Sequence, residues 1–356
     1  MHKISVIICA FKRERFIIDA INSVLDQTLE RDYYEIIVSK SFVNEEIDRF
    51  ITINNLKNIY IDSEKYGTRV AEAIKYSSGD IIITLDDDDM FRKDKLKTIF
   101  DIFTNDDSLA AVYNNFGFIN ADGHNIKSTF RHVEHKYMKK LGRYRFSNTN
   151  KASLRMTLKI GMPFGQMAIK KKVIVEHIDE LYNVNLSIDT FLFTIIVASP
   201  HPIFVIPDEL TLVRMHDEGE TQYFTNDINV QKKIINIKKL TADYELFSEI
   251  SDKVNNIALL HLMKDYVYLN KYSLCFLEPC RRENYFDALT RTRIINEFRN
   301  IRIFGWLKPL KISIGLSILW ILYHISKEKA FCLFINIGGK RLKDCHATFR
   351  ELNKCI

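Results

Sequence analysis

Glycine and proline are scarce in this 356-residue chain, at 12 and 6, which excludes collagen-like repeats and flexible low-complexity linkers. No internal repeat runs through it, so solenoids and propellers are excluded too. Its six cysteines are scattered without paired zinc spacing, and a disulfide scaffold would be shorter and denser in cysteine. No Gly-x-Gly-x-x-Gly follows the first apolar run, and no Gly-x-x-x-x-Gly-Lys loop occurs. Dinucleotide-binding Rossmann proteins and P-loop NTPases are therefore poor fits. The apolar stretch from Ile4 to Phe11 is cut short by Lys12-Arg13-Glu14-Arg15, which is not the pattern of a secretory signal. A cytoplasmic body with reduced thiols is expected, with Cys9 as a small buried hydrophobe.

What the chain does have is enough apolar residue for a sizeable core. Hydrophobic residues make up 47% and charged residues 27%, the balance of a globular protein of one or two domains. The net charge of +6 is unevenly placed. Residues 127–172 hold 13 Lys/Arg and one acid, Glu134, a local +12 that leaves −6 for the rest. Such a stretch suits an anionic partner, whether a phosphate, a membrane surface or a nucleic acid; a solvated charged face is the plainer alternative.

The first third alternates between two hydrophobic periods. Ile4–Ala10, Glu35–Val38, Asn58–Ile61 and Asp80–Leu85 are short apolar runs, as expected for strands buried on both faces. Phe16, Ile17, Ala20, Ile21, Val24 and Leu25 share one helical face, and Val70 to Tyr76 is a second helix stopped by Ser77-Ser78-Gly79. Strand–helix–strand order with short connections predicts an α/β fold with an open, mostly parallel sheet. Ligands bind such sheets at the carboxyl ends of their strands.

At the end of the fourth strand stand four carboxylates, Asp86-Asp87-Asp88-Asp89. Alternate residues of an extended chain point the same way, so Asp86 and Asp88 are expected to converge on one divalent cation. An EF-hand is excluded, because glycine is missing at the sixth loop position and Lys97 stands where the closing glutamate belongs.

Several segments together resemble the family-2 glycosyltransferases, inverting enzymes with the GT-A nucleotide-sugar-binding fold. These are Ile4-Ser5-Val6-Ile7-Ile8, Ala20 to Thr28, Glu35-Ile36-Ile37-Val38, Gly67 to Ala73, and Ser78 to Asp89 with its Asp-x-Asp ending. Asn120-Ala121-Asp122-Gly123 reads as a hairpin turn, and Arg214-Met215-His216 is similar to the late Arg-x-His of many members. The likeness covers roughly residues 3–220 in order. It implies a donor nucleotide site at Ala10, Phe11, Arg13, Ser39, Gly67, Asp86, Asp87 and Arg214. It implies Mg²⁺ or Mn²⁺ on Asp88, His216 and Asp86, and a catalytic base at Asp189 in the stretch Leu186 to Leu192, where an ordinary helix N-cap is the alternative. The chain departs from the family at Cys9-Ala10-Phe11-Lys12, where Pro-Thr-Tyr-Asn is usual. It departs again at Ser39-Lys40-Ser41-Phe42, where a base-holding Asp-Asp-Gly-Ser is usual, which leaves UDP- and GDP-sugars both open. Asn44, a serine hydroxyl or a backbone carbonyl are the candidates to replace that carboxylate.

The expected division is a GT-A catalytic domain over 1–225, a helical extension over 226–300 and an apolar/basic segment over 301–356. Helical periodicity runs over Asn229–Phe247 and Val254–Leu269. Ile312–Ile325 is uncharged but shorter than the roughly 20 residues that span a bilayer. Trp306, Trp320 and Tyr323 beside Arg302, Lys308 and Lys311 suit a peripheral or monotopic helix on the cytoplasmic face of a membrane. The resemblance with this segment implies a lipid-linked or membrane-bound acceptor glycan. The competing reading is a degenerate transferase-like protein that binds nucleic acid or anionic membrane through 127–172.

Overall fold

The computed structural model describes residues 2–127, 132–147, 164–216 and 230–277, with isolated positions 289, 290, 316, 318–320 and 324. The expected alternation is present. Strand β1 (Ile4–Ala10) leads through helix α1 (Ile17–Leu25) to β2 (Tyr34–Lys40), then through α2 (Glu45–Ile53) to β3 (Lys57–Tyr60) and through α3 (Tyr66–Lys75) to β4 (Ile81–Asp86). Next come β5 (Met90–Phe91), α4 (Lys95–Asn105), β6 (Ala111–Ile119), β7 (Asn125–Ile126), a helix over His132–Leu141, β8 (Tyr144–Phe146), β9 (Met167–Lys170) and β10 (Ile203–Arg214).

Parallel pairing holds across β3-β2-β1-β4, as the strand–helix–strand pattern requires, since only a crossover can return the chain in the same direction. Beyond β4 the sheet is mixed. The short strand β9 runs antiparallel between β4 and β6, β10 lies parallel to β6, and β5 closes the edge antiparallel to β10. Strand β9 is only four residues long and falls in the basic region, so no alternation of its own marked it in the sequence. The turn at Asn120–Gly123 forms as expected, with Gly123 at φ +82°, where a residue without a Cβ is unstrained.

Every residue of β1 is buried, which is why it reads as a continuous apolar run. Ile4, Val6, Ile8 and Ala10 pack into one core with Ile17, Ala20, Ile21 and Val24 of α1, Ile47 and Ile51 of α2, and Leu96, Ile99 and Phe103 of α4. Each of the Ile, Val, Leu and Phe side chains among them contributes about 2 kcal/mol on burial. Asn44 starts α2, its side-chain oxygen accepting the N–H groups of Glu46 and Ile47, a standard cap for otherwise unpaired donors. The helix Ile188–Ala198 is apolar nearly all round and correspondingly buried.

The chain divides into two compact units, Met1–Asp227 with Leu246–Leu260, and Ile228–Glu245 with His261–Ile356. Long helices cover Val230–Lys253 and Ile257–Leu277, where helical periodicity was expected. Within the second unit Ile234, Ile237 and Leu274 cluster, and Tyr244 stacks on Tyr266 at 4.7 Å. No helix among the described residues is long and apolar enough to cross a membrane. Most of the apolar/basic segment 301–356, including Trp306 and Lys308, lies outside the described residues.

Candidate functional site

Strand β4 stops at Asp86 and the chain turns at once, the Asp89 N–H donating to the Asp86 carbonyl at 3.3 Å. Strict alternation would have grouped Asp86 with Asp88 and sent Asp89 away. The turn brings Asp89 back, so that one carboxylate oxygen from each of Asp86, Asp88 and Asp89 lies within 4.8 Å of the others. Three hard oxygen donors at this spacing fit a divalent cation of the Mg²⁺ or Mn²⁺ class.

Carboxylates this close repel, and each is held by a donor from a different element. The Tyr66 hydroxyl donates to Asp86 Oδ1 at 2.5 Å. The Arg13 guanidinium grips both oxygens of Asp87 and lies 2.8 Å from Asp88 Oδ2 through Nη1. His216 Nε2 is 3.1 Å from the same Asp88 oxygen, its ring packed edge-on against Phe16. Arg214 braces the loop from behind. Its backbone N–H donates to Asp89 Oδ1 at 2.9 Å, while its guanidinium reaches the Asp88 and Ala121 carbonyls and, at 3.0 Å, Asp19 Oδ2. Strand β10 carries two register shifts against β6, the first across Pro207, which cannot donate to a ladder.

Burial pushes the Asp87 carboxyl up to about 7, although Arg13 pulls the other way. Burial, with the charges of Asp88 and Asp86, pushes Asp89 well above the ordinary range. Asp88 falls below it, because His216 and Arg13 outweigh its desolvation. Behind the loop, the Lys95 side chain is fully buried, donating to the Gly165 carbonyl at 2.5 Å and to Thr211 Oγ1 at 2.8 Å. Burial drives its pKa well down.

The other predicted residues line the same strand ends with differing availability. Ala10 is buried at the end of β1, and Phe11 lies under the Arg69 guanidinium at 4.1 Å. Ser39 is buried on β2, its hydroxyl donating to the Arg69 carbonyl at 3.4 Å. Gly67 opens α3, where a Cβ would come 1.9 Å from the Leu181 carbonyl; close packing alone demands glycine there. Asn44 is occupied as a helix cap. Lys40, in the stretch where the resemblance leads one to expect a base-holding carboxylate, is buried with its ammonium on Asp48 at 2.8 Å and on the Phe42 carbonyl.

Asp189 is half-buried in the first turn of the helix Ile188–Ala198, and the cap position before it is Ser187. Asp189 Oδ1 accepts the Thr190 N–H at 2.7 Å. The segment leading into this helix docks on α3, with Tyr66 and Gly67 donating to the Asn185 and Val184 carbonyls at 3.0 Å. Tyr66 thus joins the Asp189 segment to the Asp loop. In the basic stretch, Lys139, Arg143, Arg145 and Lys170 are paired with the fold's own carboxylates, Glu209, Asp208, Asp106 and Asp80. Lys136 and Lys140 are exposed, while 148–163 lies outside the described residues.

Sequence reasoning missed Tyr66, Lys95, Asp19 and the part played by Asp89. Asp89 stands in the acidic run, but alternation along an extended chain groups only Asp86 with Asp88. Tyr66, Lys95 and Asp19 carry no local signal, since their partners are distant in sequence.

Residues 5–176 match the profile of the family described as Glycosyl transferase family 2. A curated Rickettsia bellii protein described as an uncharacterized glycosyltransferase is 27% identical over 263 residues, 72% of this chain and 35% of its own length. The chain therefore spans about a third of that relative. Among solved structures, S. aureus TarS 1-349 in complex with UDP-GlcNAc is similar with a TM-score of 0.52 and 12% identity, over 98% of this chain and 89% of that one. At that identity the likeness concerns the fold, which is of the GT-A type.

Proposed function

We propose that the chain is a metal-dependent inverting glycosyltransferase, moving a sugar from a nucleotide diphosphate sugar to an acceptor hydroxyl. The observation that carries the reading is the convergence of Asp86, Asp88 and Asp89 within 4.8 Å at the carboxyl end of β4, in a chain whose residues 5–176 match the profile of Glycosyl transferase family 2. Bound there, a divalent cation supplies Lewis-acid stabilisation to the departing diphosphate. Asp88 and Asp86 would hold it, with Asp89 as a third ligand and His216 fixing the orientation of Asp88. Asp189 takes the proton from the acceptor hydroxyl as it attacks the anomeric carbon, and its carboxylate needs no covalent intermediate. Phe11 offers a face for the nucleobase, and the Arg13 guanidinium a forked donor for phosphate.

The similar S. aureus protein was solved with UDP-GlcNAc, which favours a UDP-sugar here over a GDP-sugar. The acceptor is a lipid-linked or membrane-bound glycan, reached by peripheral attachment of 301–356 to an anionic cytoplasmic leaflet. The ion pairs of Lys139, Arg143 and Arg145 count against a nucleic-acid role for that stretch.

Equilibrium binding of UDP and GDP, each with and without Mn²⁺, tests the reading on wild type and Asp88→Asn. One nucleotide should bind only with the cation and weaken in the variant; absence of binding by either would overturn it. Asp189→Ala should keep donor affinity and lose roughly 10²–10⁴-fold in turnover. An equal loss of binding would make Asp189 a structural residue.

A further inference from the structure

We infer that Arg13 is a displaceable counter-charge of the Asp loop, so that the divalent cation enters together with the nucleotide diphosphate and binds poorly alone. The inference rests on the cation site proposed above.

Asp88 Oδ2 belongs to the cluster of candidate ligands, yet Arg13 Nη1 lies 2.8 Å from it and His216 Nε2 3.1 Å from it. A divalent cation approaches a carboxylate oxygen to roughly 2.0–2.6 Å, so it would sit beside the guanidinium charge with little water between them. Repulsion at that range opposes the bare ion. Arg214 cannot give way, because its guanidinium is fully buried and its donors are taken by Asp88, Ala121 and Asp19. Arg13 can, since its side chain is 29% exposed.

The Arg13 contacts are also unequal. Nε and Nη2 hold the two oxygens of buried Asp87. Nη1 is buried and close to Asp88, but makes no aligned hydrogen bond. One edge of the guanidinium is thus anchored and the other is a donor short of an acceptor. A diphosphate oxygen is the chemistry that completes it, because phosphate takes forked N–H donors. Anchored on Asp87, Arg13 releases Asp88 as it turns Nη1 to phosphate. The nucleotide thereby removes the charge that opposes the cation. By linkage, the cation tightens the nucleotide by the same factor.

Mn²⁺ binding measured by electron paramagnetic resonance or calorimetry tests this without any turnover, on wild type, Arg13→Gln and Arg13→Lys, alone and with saturating UDP or GDP. In wild type the nucleotide should tighten Mn²⁺ by roughly 10–100-fold, within the usual range of site-to-site coupling. Arg13→Gln should bind Mn²⁺ alone about tenfold more tightly and lose most of that coupling. Arg13→Lys, which keeps the charge without the fork, should leave Mn²⁺ alone weak while reducing the nucleotide effect. Unchanged Mn²⁺ affinity and coupling in folded Arg13→Gln would overturn the role of Arg13 and leave the cation site standing. Absence of Mn²⁺ binding from every protein, with or without nucleotide, would overturn both.

Discussion

At the amino-terminal ends of β1 and β4, Asp80 meets the His2 ring at 2.5 Å, the Lys3 N–H at 2.7 Å and Lys170 at 3.4 Å, and Lys170 also holds Asp107. At the carboxyl ends of the same strands, four aspartates share Arg13, Arg214 and His216. Asp80 lies below the usual carboxylate range despite its partial burial, and the Lys170 ammonium holds Asp107 below it. Asp87 and Asp89 lie above it. One end of the sheet is neutralised by the chain itself. The other is left short of positive charge, as the site proposed above for a cation and a diphosphate requires. Sites that bind are commonly built against stability in this way.

The comparison is broken most severely by Asp88→Asn, which removes a proposed cation ligand and the partner of His216. Turnover with the donor whose nucleotide binds should fall by about 10²–10³-fold, the usual loss for an electrostatic element aimed at the reacting centre. Steady-state kinetics, with circular dichroism to confirm folding, check it. Asp80→Ala should do the reverse, lowering stability by about 2 kcal/mol through lost hydrogen bonds and an unmatched Lys170. Urea titration reads that change, and turnover of the folded fraction should remain within about twofold.

Asp89→Asn sharpens the contrast by sign. An amide keeps the oxygen that accepts the Arg214 N–H but removes one of four crowded charges. Melting in the absence of metal should show a gain of about 1 kcal/mol. A loss there would mean that Arg214 and its neighbours already match the loop's charge.

The legible parts of this molecule were those whose cause is local. Ile4–Ala10 is buried on both faces and reads so, α1 carries its core face at helical spacing, and the Asp run stands directly after an apolar strand. The family likeness rested on those same segments. What escaped depends on contacts distant in sequence. Strand β9 enters the sheet between β4 and β6 without a pattern of its own, and Tyr66 matters because the chain returns at Asn185. Asp89 joins the cluster because the chain turns directly after Asp86, where the alternation argument needs it extended through Asp88. Arg214 is a family-motif residue, but only its partners Asp19, Ala121 and Asp88 reveal a brace rather than an open phosphate ligand.

Glu35 gives the smallest and most diagnostic effect. It stands opposite Ser5 in the β1–β2 pairing, accepting the Ser5 hydroxyl at 2.6 Å and the Ser78 N–H at 2.5 Å, with Lys57 2.8 Å from its second oxygen. Burial opposes ionisation, but these donors outweigh it and hold the carboxyl down at about 2. A carboxyl depressed by folding stabilises the native state above its unfolded pKa, ordinarily near 4.5, and the benefit fades as pH falls toward 2. Glu35→Gln keeps an acceptor for Ser5 and Ser78 and loses the charge facing half-exposed Lys57. The cost should be about 0.5–1 kcal/mol at pH 7, discounted for solvent around Lys57. It should shrink toward zero between about pH 4.5 and 2. Denaturant midpoints of the two proteins across that window check it. A difference that persisted at pH 2 would assign Glu35 to packing, and the amino-terminal end would no longer be held by matched charge at this point.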